Sequence, residues 1–76
     1  MIYVLWDLDS RNLIATYATR SAALADLREA VAAHGSAYVE SLMLGEEPPR
    51  GHARTIAHGP ELVALALAST AEREIA

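Results

Sequence analysis

Residues 2–17 contain two apolar runs that are joined by a short polar stretch. Ile2 to Leu8 and Leu13 to Tyr17 are rich in Ile, Val, Leu, Trp and Tyr, which favour strands. The stretch between them has the composition of a turn. Asn12 tolerates a left-handed backbone, and Asp9 can accept a hydrogen bond from a later residue of the turn. The pattern predicts a β-hairpin.

The first strand is apolar on both faces. Alternation places one set of side chains on one face, namely Ile2, Val4, Trp6 and Leu8, and a second set on the other, namely Tyr3, Leu5 and Asp7. A half-solvated strand would alternate apolar and polar residues more cleanly, so we expect this strand to be covered on both sides.

A helix is predicted from about Arg20 to His34. Either Thr19 or Ser21 can cap its first turn through a hydroxyl, and Gly35 is typical of a helix end. Its apolar stripe has helical spacing and consists of Leu24, Leu27 and Val31, with Ala23 and Ala30 beside it.

The second half of the chain predicts one or two further strands and a last helix. Residues 36–44 are strand-like, and residues 45–53 are a polar loop in which two prolines would interrupt a strand ladder. Residues 54–58 are a weakly indicated fourth strand. Gly59-Pro60-Glu61 then begins a helix, with proline and an acidic residue at its amino end. The sequence shows no internal repeat.

The last helix carries a wide apolar arc. One face holds Leu62, Leu65, Ala66 and Ser69, and a second, about 100° away, holds Val63, Leu67 and Thr70. Such an arc exceeds what one sheet buries. Either the helix lies deep in its own domain or it packs against another chain, and we favour the second because surplus apolar surface on a small domain usually marks an interface.

Together these elements predict a single α+β domain over residues 1–76. It contains a small antiparallel sheet of three or four strands and two helices, in the order β-β-α-β-(β)-α. The expected core is Ile2, Val4, Trp6, Leu8, Tyr17, Leu24, Leu27 and Val31. The candidate contact residues, covered by the last helix or by a second copy, are Tyr3, Leu5, Ile14, Val63 and Leu67.

Size and composition favour a partner. The chain has 76 residues, 53% of them hydrophobic, and no cysteine that could form a disulfide or a thiolate metal site. A domain this small often needs a staple or a partner, and two-fold homodimers are the commonest oligomers. We therefore expect a homodimer, with another protein as a further partner.

Charge and hydropathy exclude two classes of partner. The formal net charge is −4, the chain has no lysine, and its six arginines are scattered, which argues against nucleic acid. The longest charge-free apolar run, Leu62 to Ala71, is shorter than the ~20 residues that span a bilayer. With no signal peptide before Ile2, the expected location is the cytoplasm.

No pattern of reactive side chains indicates catalysis, a metal or a cofactor. The three histidines, His34, His52 and His58, have no ligand spacing, and a structural zinc site needs four convergent ligands. The serines lack a glycine elbow and an evident base. Glu46 and Glu47, beside two prolines, are typical of a solvated loop. We expect no catalytic residues, no metal and no cofactor.

The stretch Tyr3 to Asp9 resembles the first motif of the haloacid dehalogenase-like phosphohydrolases. In that family an apolar strand presents two aspartates two residues apart, as Asp7 and Asp9 are here. The resemblance covers about ten residues. Ser10 and Arg11 then replace the family's glycine and threonine or valine, no lysine is present for the phosphate, and the family's doubly wound sheet needs roughly twice this length. Phosphotransfer is therefore not expected.

The run from Tyr17 to Leu27 is similar to the start of HicB-type antitoxins. These are small acidic domains that neutralise a basic toxin, and the resemblance implies that role for this chain. The DNA-binding tail of that family is not evident. Our leading hypothesis is a non-enzymatic, self-associating protein-interaction module. The alternatives are an antitoxin-like regulator and a small ligand-binding protein or enzyme with a cleft between subunits.

Overall fold

The computed structural model describes residues 1–75, with the side chains of residues 1–68, as one four-stranded antiparallel sheet and three helices. The elements follow the order β1 (Ile2–Asp7), β2 (Asn12–Tyr17), α1 (Arg20–His34), α2 (Ser36–Glu40), β3 (Leu42–Glu47), β4 (Arg54–His58) and α3 (Pro60–Ile75). The strands lie in the order β2-β1-β3-β4. The predicted α+β class is confirmed, including the fourth strand, and α2 is an additional short helix.

The predicted hairpin forms, but different residues make its turn. Arg11, not Asn12, has the left-handed backbone, with a φ of 60°. The carboxylate of Asp7, not that of Asp9, accepts the turn amides, at 2.9 Å from the nitrogen of Asp9 and 3.5 Å from that of Ser10. An aspartate at the first position of a turn accepts such bonds, and Asp7 holds that position because β1 ends one residue earlier than predicted.

The predicted helix α1 is confirmed at both ends. The Thr19 hydroxyl accepts a hydrogen bond from the Ala22 amide at 3.1 Å, so Thr19 rather than Ser21 is the N-cap. At the other end, the Gly35 amide donates to the carbonyl of Val31 at 2.8 Å. Gly35 has a φ of 89° and a ψ of 164°, a conformation that is essentially restricted to glycine.

Residues 36–47 differ from the prediction. Instead of one strand over 36–44, Ser36–Glu40 form α2, and β3 then runs through two glutamates into the predicted loop. Val39 and Leu42 are both buried although they are three residues apart, a spacing that suits a helical turn and not a strand. The strand continues to Glu47 because the prolines begin only after it.

Helix α1 covers the opposite face of the sheet from the one that we predicted, whereas α3 covers the Tyr3 and Leu5 face, which was one of the two alternatives for that face. Leu5 joins the core with the residues that α1 and α3 bury, and Tyr3 packs against that core. Val4 is buried on the other face, whereas Ile2 and Leu8, both predicted core residues, are exposed. Among the other predicted core residues, Leu24 and Leu27 are buried, and Trp6, Tyr17 and Val31 are half-buried.

Helix α3 packs on its own sheet, which corrects the preference for an intersubunit helix. Leu62 and Ala66 are completely buried, and Val63 and Leu65 pack against the same core. Leu67 stays exposed, while Ser69 and Thr70 of the predicted arc lie outside the described side chains. No helix in the described part of the chain is long and apolar enough to cross a bilayer.

The structure contains a repeat that the sequence does not show. The chain twice forms strand, strand and helix, and the first strands of the two units, β1 and β3, pair at the centre of the sheet. Each outer strand has one extra residue at the corresponding place. In β2 it is Ile14, before Ala15, and in β4 it is Ile56, before Ala57. These bulges oppose Leu5 and Leu44, which pair with each other.

Candidate interaction surface

One face of the sheet carries no helix from the described residues 1–75, and we call it the open face. Pairing and alternation place ten strand residues on it, namely Ile2, Val4, Trp6, Leu13, Thr16, Met43, Gly45, Glu47, Thr55 and His58. The opposite face holds the core. The Cα envelope measures 33 × 31 × 17 Å, and its short dimension corresponds to a sheet with one layer of helices.

Large apolar side chains on the open face are in contact with water. Ile2 is 52% exposed and Leu13 48% exposed, while Leu8, which follows β1, is 44% exposed. Between them Trp6 and Met43 are half-buried, and Val4 is only 5% exposed because its neighbours surround it. The middle of the face is thus apolar, with an aromatic ring and a methionine, a composition enriched in protein interfaces, whereas Thr16, Thr55, His58 and Glu47 lie towards its margins.

A hollow lies over Gly45 on this face. Val4, Trp6, Met43 and Thr55 are among the residues around it, and its volume is about 210 Å³. A Cβ atom at Gly45 would approach the carbonyl oxygen of Arg54 to 3.2 Å, so the absence of a side chain keeps the strands close and the hollow open. Projecting side chains and a hollow therefore occur on the same surface.

Charge is sparse on the open face and lies at its two ends. Among the described strand residues of this face, Glu47 is the one carboxylate, next to Ile2 in the paired strands. At the opposite end, Arg11 lines a concavity with Trp6, Leu8 and Met43. Asp7 lines the same concavity, so a carboxylate and a guanidinium lie together at the Trp6 end.

Other charged groups near the open face form hydrogen bonds or an ion pair within the chain. The carboxylate of Asp7 accepts hydrogen bonds from the turn amides, as described above. The guanidinium of Arg54 contacts Glu46, with Nη2 2.5 Å and Nε 3.1 Å from the same carboxylate oxygen. Register places that pair on the helix side of the sheet. Both signs of charge therefore lie near each end of the open face, Asp7 with Arg11 and Arg54 with Glu47.

A second concavity lies on the helix side, between α1 and the edge strand β2. Its volume is about 300 Å³, and its floor is apolar, with Leu5, Leu27 and Ile14 among the lining residues. Asp26 lines it and accepts a hydrogen bond from the Tyr17 hydroxyl. Burial of the phenol, this hydrogen bond and the adjacent carboxylate raise the pKa of Tyr17 well above its usual value.

The predicted contact residues do not form one surface. Leu5 is 4% exposed and lies in the core, so the structure places it away from any contact surface. Tyr3 and Val63 are half-buried against the same core, whereas Ile14 and Leu67 are exposed on the helix side and on α3. The residues of the open face were missed because the sequence does not show which face the helices take. The sequence signal that could have indicated this surface is that both faces of β1 are apolar.

The described residues include no group of three or more histidine, aspartate and glutamate side chains arranged to hold a metal ion. No protein-family model, no curated protein and no solved structure matches this chain. The interpretation of its function therefore depends on the geometry and chemistry of the open face.

Proposed function

We propose that this chain is a non-enzymatic protein-interaction module that binds protein through the open face of its sheet. One observation carries the proposal: in the part of the chain that the structure describes, a four-stranded face with large exposed apolar side chains has one carboxylate among its strand residues and no helix over it. Exposed apolar surface of this kind is characteristic of protein contact sites. Depletion of charge at the centre of the face is the second mark of an interface.

The proposal includes a cytoplasmic location. The chain contains no cysteine, whereas secreted domains of this size are usually stabilised by disulfides. In a reducing compartment, burial of the open face against a partner would supply stabilisation that a disulfide supplies elsewhere.

The test compares two neighbouring positions on β2. Leu13 is 48% exposed on the open face, and Ile14 is 44% exposed on the helix side, so the two sites are matched in exposure and in chain position. A photoreactive benzophenone amino acid is introduced at one or the other position in the native host. We expect discrete cross-linked protein adducts from position 13 and only background from position 14. Equal labelling at both positions would show that the open face has no partner.

A further inference from the structure

We propose that the concavity between α1 and the edge strand β2 binds a small organic cation with an apolar body, namely an aromatic or alkyl ammonium ion. This helix-side concavity is separate from the open face, so the proposal does not depend on the proposed function. Four features support it: an apolar floor, carboxylates without a lining cation, a hydrogen bond that positions one of them, and the carboxyl-terminal end of α1.

The floor of the helix-side concavity suits the apolar body of a ligand. Leu5, Leu27 and Leu42 close it from the core side, where all three are almost completely buried. Ile14, the extra residue of the β2 bulge, is exposed beside them, and a ligand body would remove it from water. The volume of about 300 Å³ lies at the lower end of the range for ligand pockets, so the ligand must be small.

The charge of the lining residues selects a cation. Asp26 and Glu29 supply two carboxylates, and none of the ten lining residues is a lysine or an arginine. In the part of the chain that the structure describes, the carboxylate of Glu29 forms neither a hydrogen bond nor an ion pair. Residues three apart on a helix are neighbours, so the two carboxylates repel each other, and a cation between them relieves that repulsion. An anionic ligand would be repelled.

A hydrogen bond from the edge strand positions one of the two carboxylates. The hydroxyl of Tyr17 donates to Oδ2 of Asp26. The other oxygen of this carboxylate, Oδ1, accepts no hydrogen bond from the described residues, so it is available to a ligand. Because the hydroxyl is the donor, Asp26 acts as an acceptor and keeps its negative charge. A ligand therefore meets an acceptor that is already held in place, which lowers the entropic cost of binding.

The carboxyl-terminal end of α1 also favours a cation. The last turn of this helix, which ends at His34, carries the partial negative charge of the helix dipole. The rings of His34 and Tyr38 lie with their centroids 5.1 Å apart, and both residues line the concavity. The face of a tyrosine ring attracts a cation. Both features add to the attraction that the carboxylates exert on a positive ligand.

The test measures the binding of phenethylamine to the purified chain by two-dimensional NMR at about pH 7.5, where an ordinary histidine is mostly neutral. Phenethyl alcohol and hydrocinnamate are the neutral and anionic controls, with the same ring and a similar length. We expect the amine to shift amide resonances around the helix-side concavity, with a dissociation constant on the order of 1 mM. Each control should bind at least about tenfold more weakly.

Matched variants connect this binding to the concavity. Glu29→Gln should weaken the binding of phenethylamine about fivefold, whereas Glu40→Gln, an exposed site outside the concavity, should leave it unchanged. Ala33→Trp places an indole in the concavity and should abolish binding, while Ala32→Trp, at the exposed neighbouring position, should not. Circular dichroism shows whether each variant is folded, and Glu29→Gln decides the matter if a tryptophan variant is not.

Trp6 reports on binding elsewhere, because it is the only tryptophan of the wild type and lies on the open face. Its emission should stay constant as phenethylamine is added. Equal binding of the three probes, or equal losses in Glu29→Gln and Glu40→Gln, would overturn the selection of a cation. Absence of shifts around the concavity at millimolar amine, or a change in Trp6 emission in their place, would overturn the site itself. Cross-linking from position 13 is unaffected by any of these results, so the proposed function is tested separately.

Discussion

Leu5 and Leu44 face each other across the central strand pair, and each is opposed on its outer side by a bulge with the sequence Ile-Ala. Both leucines are almost completely buried under the two long helices. The two halves of the chain thus meet at this pair. The stability of the whole sheet should depend on this contact.

The first prediction concerns this central pair. Leu44→Ala should lower the free energy of unfolding by about 3 kcal/mol, because it removes buried methyl groups and leaves a cavity. Urea denaturation followed by circular dichroism measures the change. Leu8→Ala is the matched control on the exposed side, where the loss should stay below about 1 kcal/mol in the monomer. Equal losses from both variants would contradict the assignment of the core.

The second prediction tests the cap of α1. Thr19→Ala should cost about 1 kcal/mol of stability, because the amide of Ala22 loses its hydrogen-bond acceptor. Ser21→Ala, two residues further along, should change stability by less than about 0.5 kcal/mol. Thermal unfolding of the two variants beside the wild type gives the comparison. A larger effect at Ser21 would indicate that Ser21, and not Thr19, caps the helix.

The third prediction concerns alkaline pH. Because burial and Asp26 raise the pKa of Tyr17 in the folded state, the unfolded chain loses this phenolic proton first as the pH rises above about 10. The folded protein therefore keeps this contribution to its stability below the pKa that Tyr17 has in the unfolded chain. The contribution is lost as the pH rises from there through the pKa that Tyr17 has in the folded state. Tyr17→Phe should therefore lose less stability than the wild type between about pH 9 and pH 12.

Urea midpoints over that pH range measure the effect of Tyr17→Phe. Tyr3→Phe serves as the control, because Tyr3 is not among the groups that raise the pKa of Tyr17. Tyr3→Phe should keep the alkaline loss of the wild type. If Tyr17→Phe and the wild type lose stability in parallel, the bond between Tyr17 and Asp26 does not persist in solution.

The fourth prediction concerns the junction of α1 and α2. Gly35→Ala should destabilise the protein by about 2 kcal/mol, since its φ of 89° and ψ of 164° are unfavourable for a residue with a Cβ atom. Contact with other parts of the protein does not cause the loss, because no atom beyond the neighbouring residues lies within 4 Å of a Cβ atom built there. Gly35→Asn should lose about as much, because a ψ of 164° lies outside the left-handed helical region that asparagine tolerates. Differential scanning calorimetry measures both losses, and a clearly smaller loss for Gly35→Asn would contradict the conformation of Gly35.

Local signals in the sequence were sufficient for the hairpin, for the start of α3 and, to within two residues, for the start of α1. The hydroxyl of Thr19, the position of Gly35 and the order Gly59-Pro60-Glu61 each act within a few residues, so their effect can be seen without the fold. The same is true of the fourth strand, Arg54–His58, although its pattern was weak.

The face that the helices cover could not be predicted, because both faces of β1 are apolar. Either Tyr3 and Leu5 or the set that includes Val4 and Trp6 could have been covered by the helices. The packing of the whole chain determines that Tyr3 and Leu5 are covered. The short helix α2 was missed for a related reason, since five residues give too little periodicity. The repeat cannot be detected in the sequence, because the two halves share their strand pairing and the positions of their bulges but not a common residue pattern.

The pairing of β1 with β3 also sets the order in which this chain can fold. Each hairpin closes over a few residues, whereas Leu5 meets Leu44 only when positions about 40 residues apart come together. Because closing a longer loop costs more entropy, we expect the two hairpins to form before the inner strands join. Until β3 pairs with it, β1 has one unpaired edge, and we expect the chain to be most prone to aggregation at that stage.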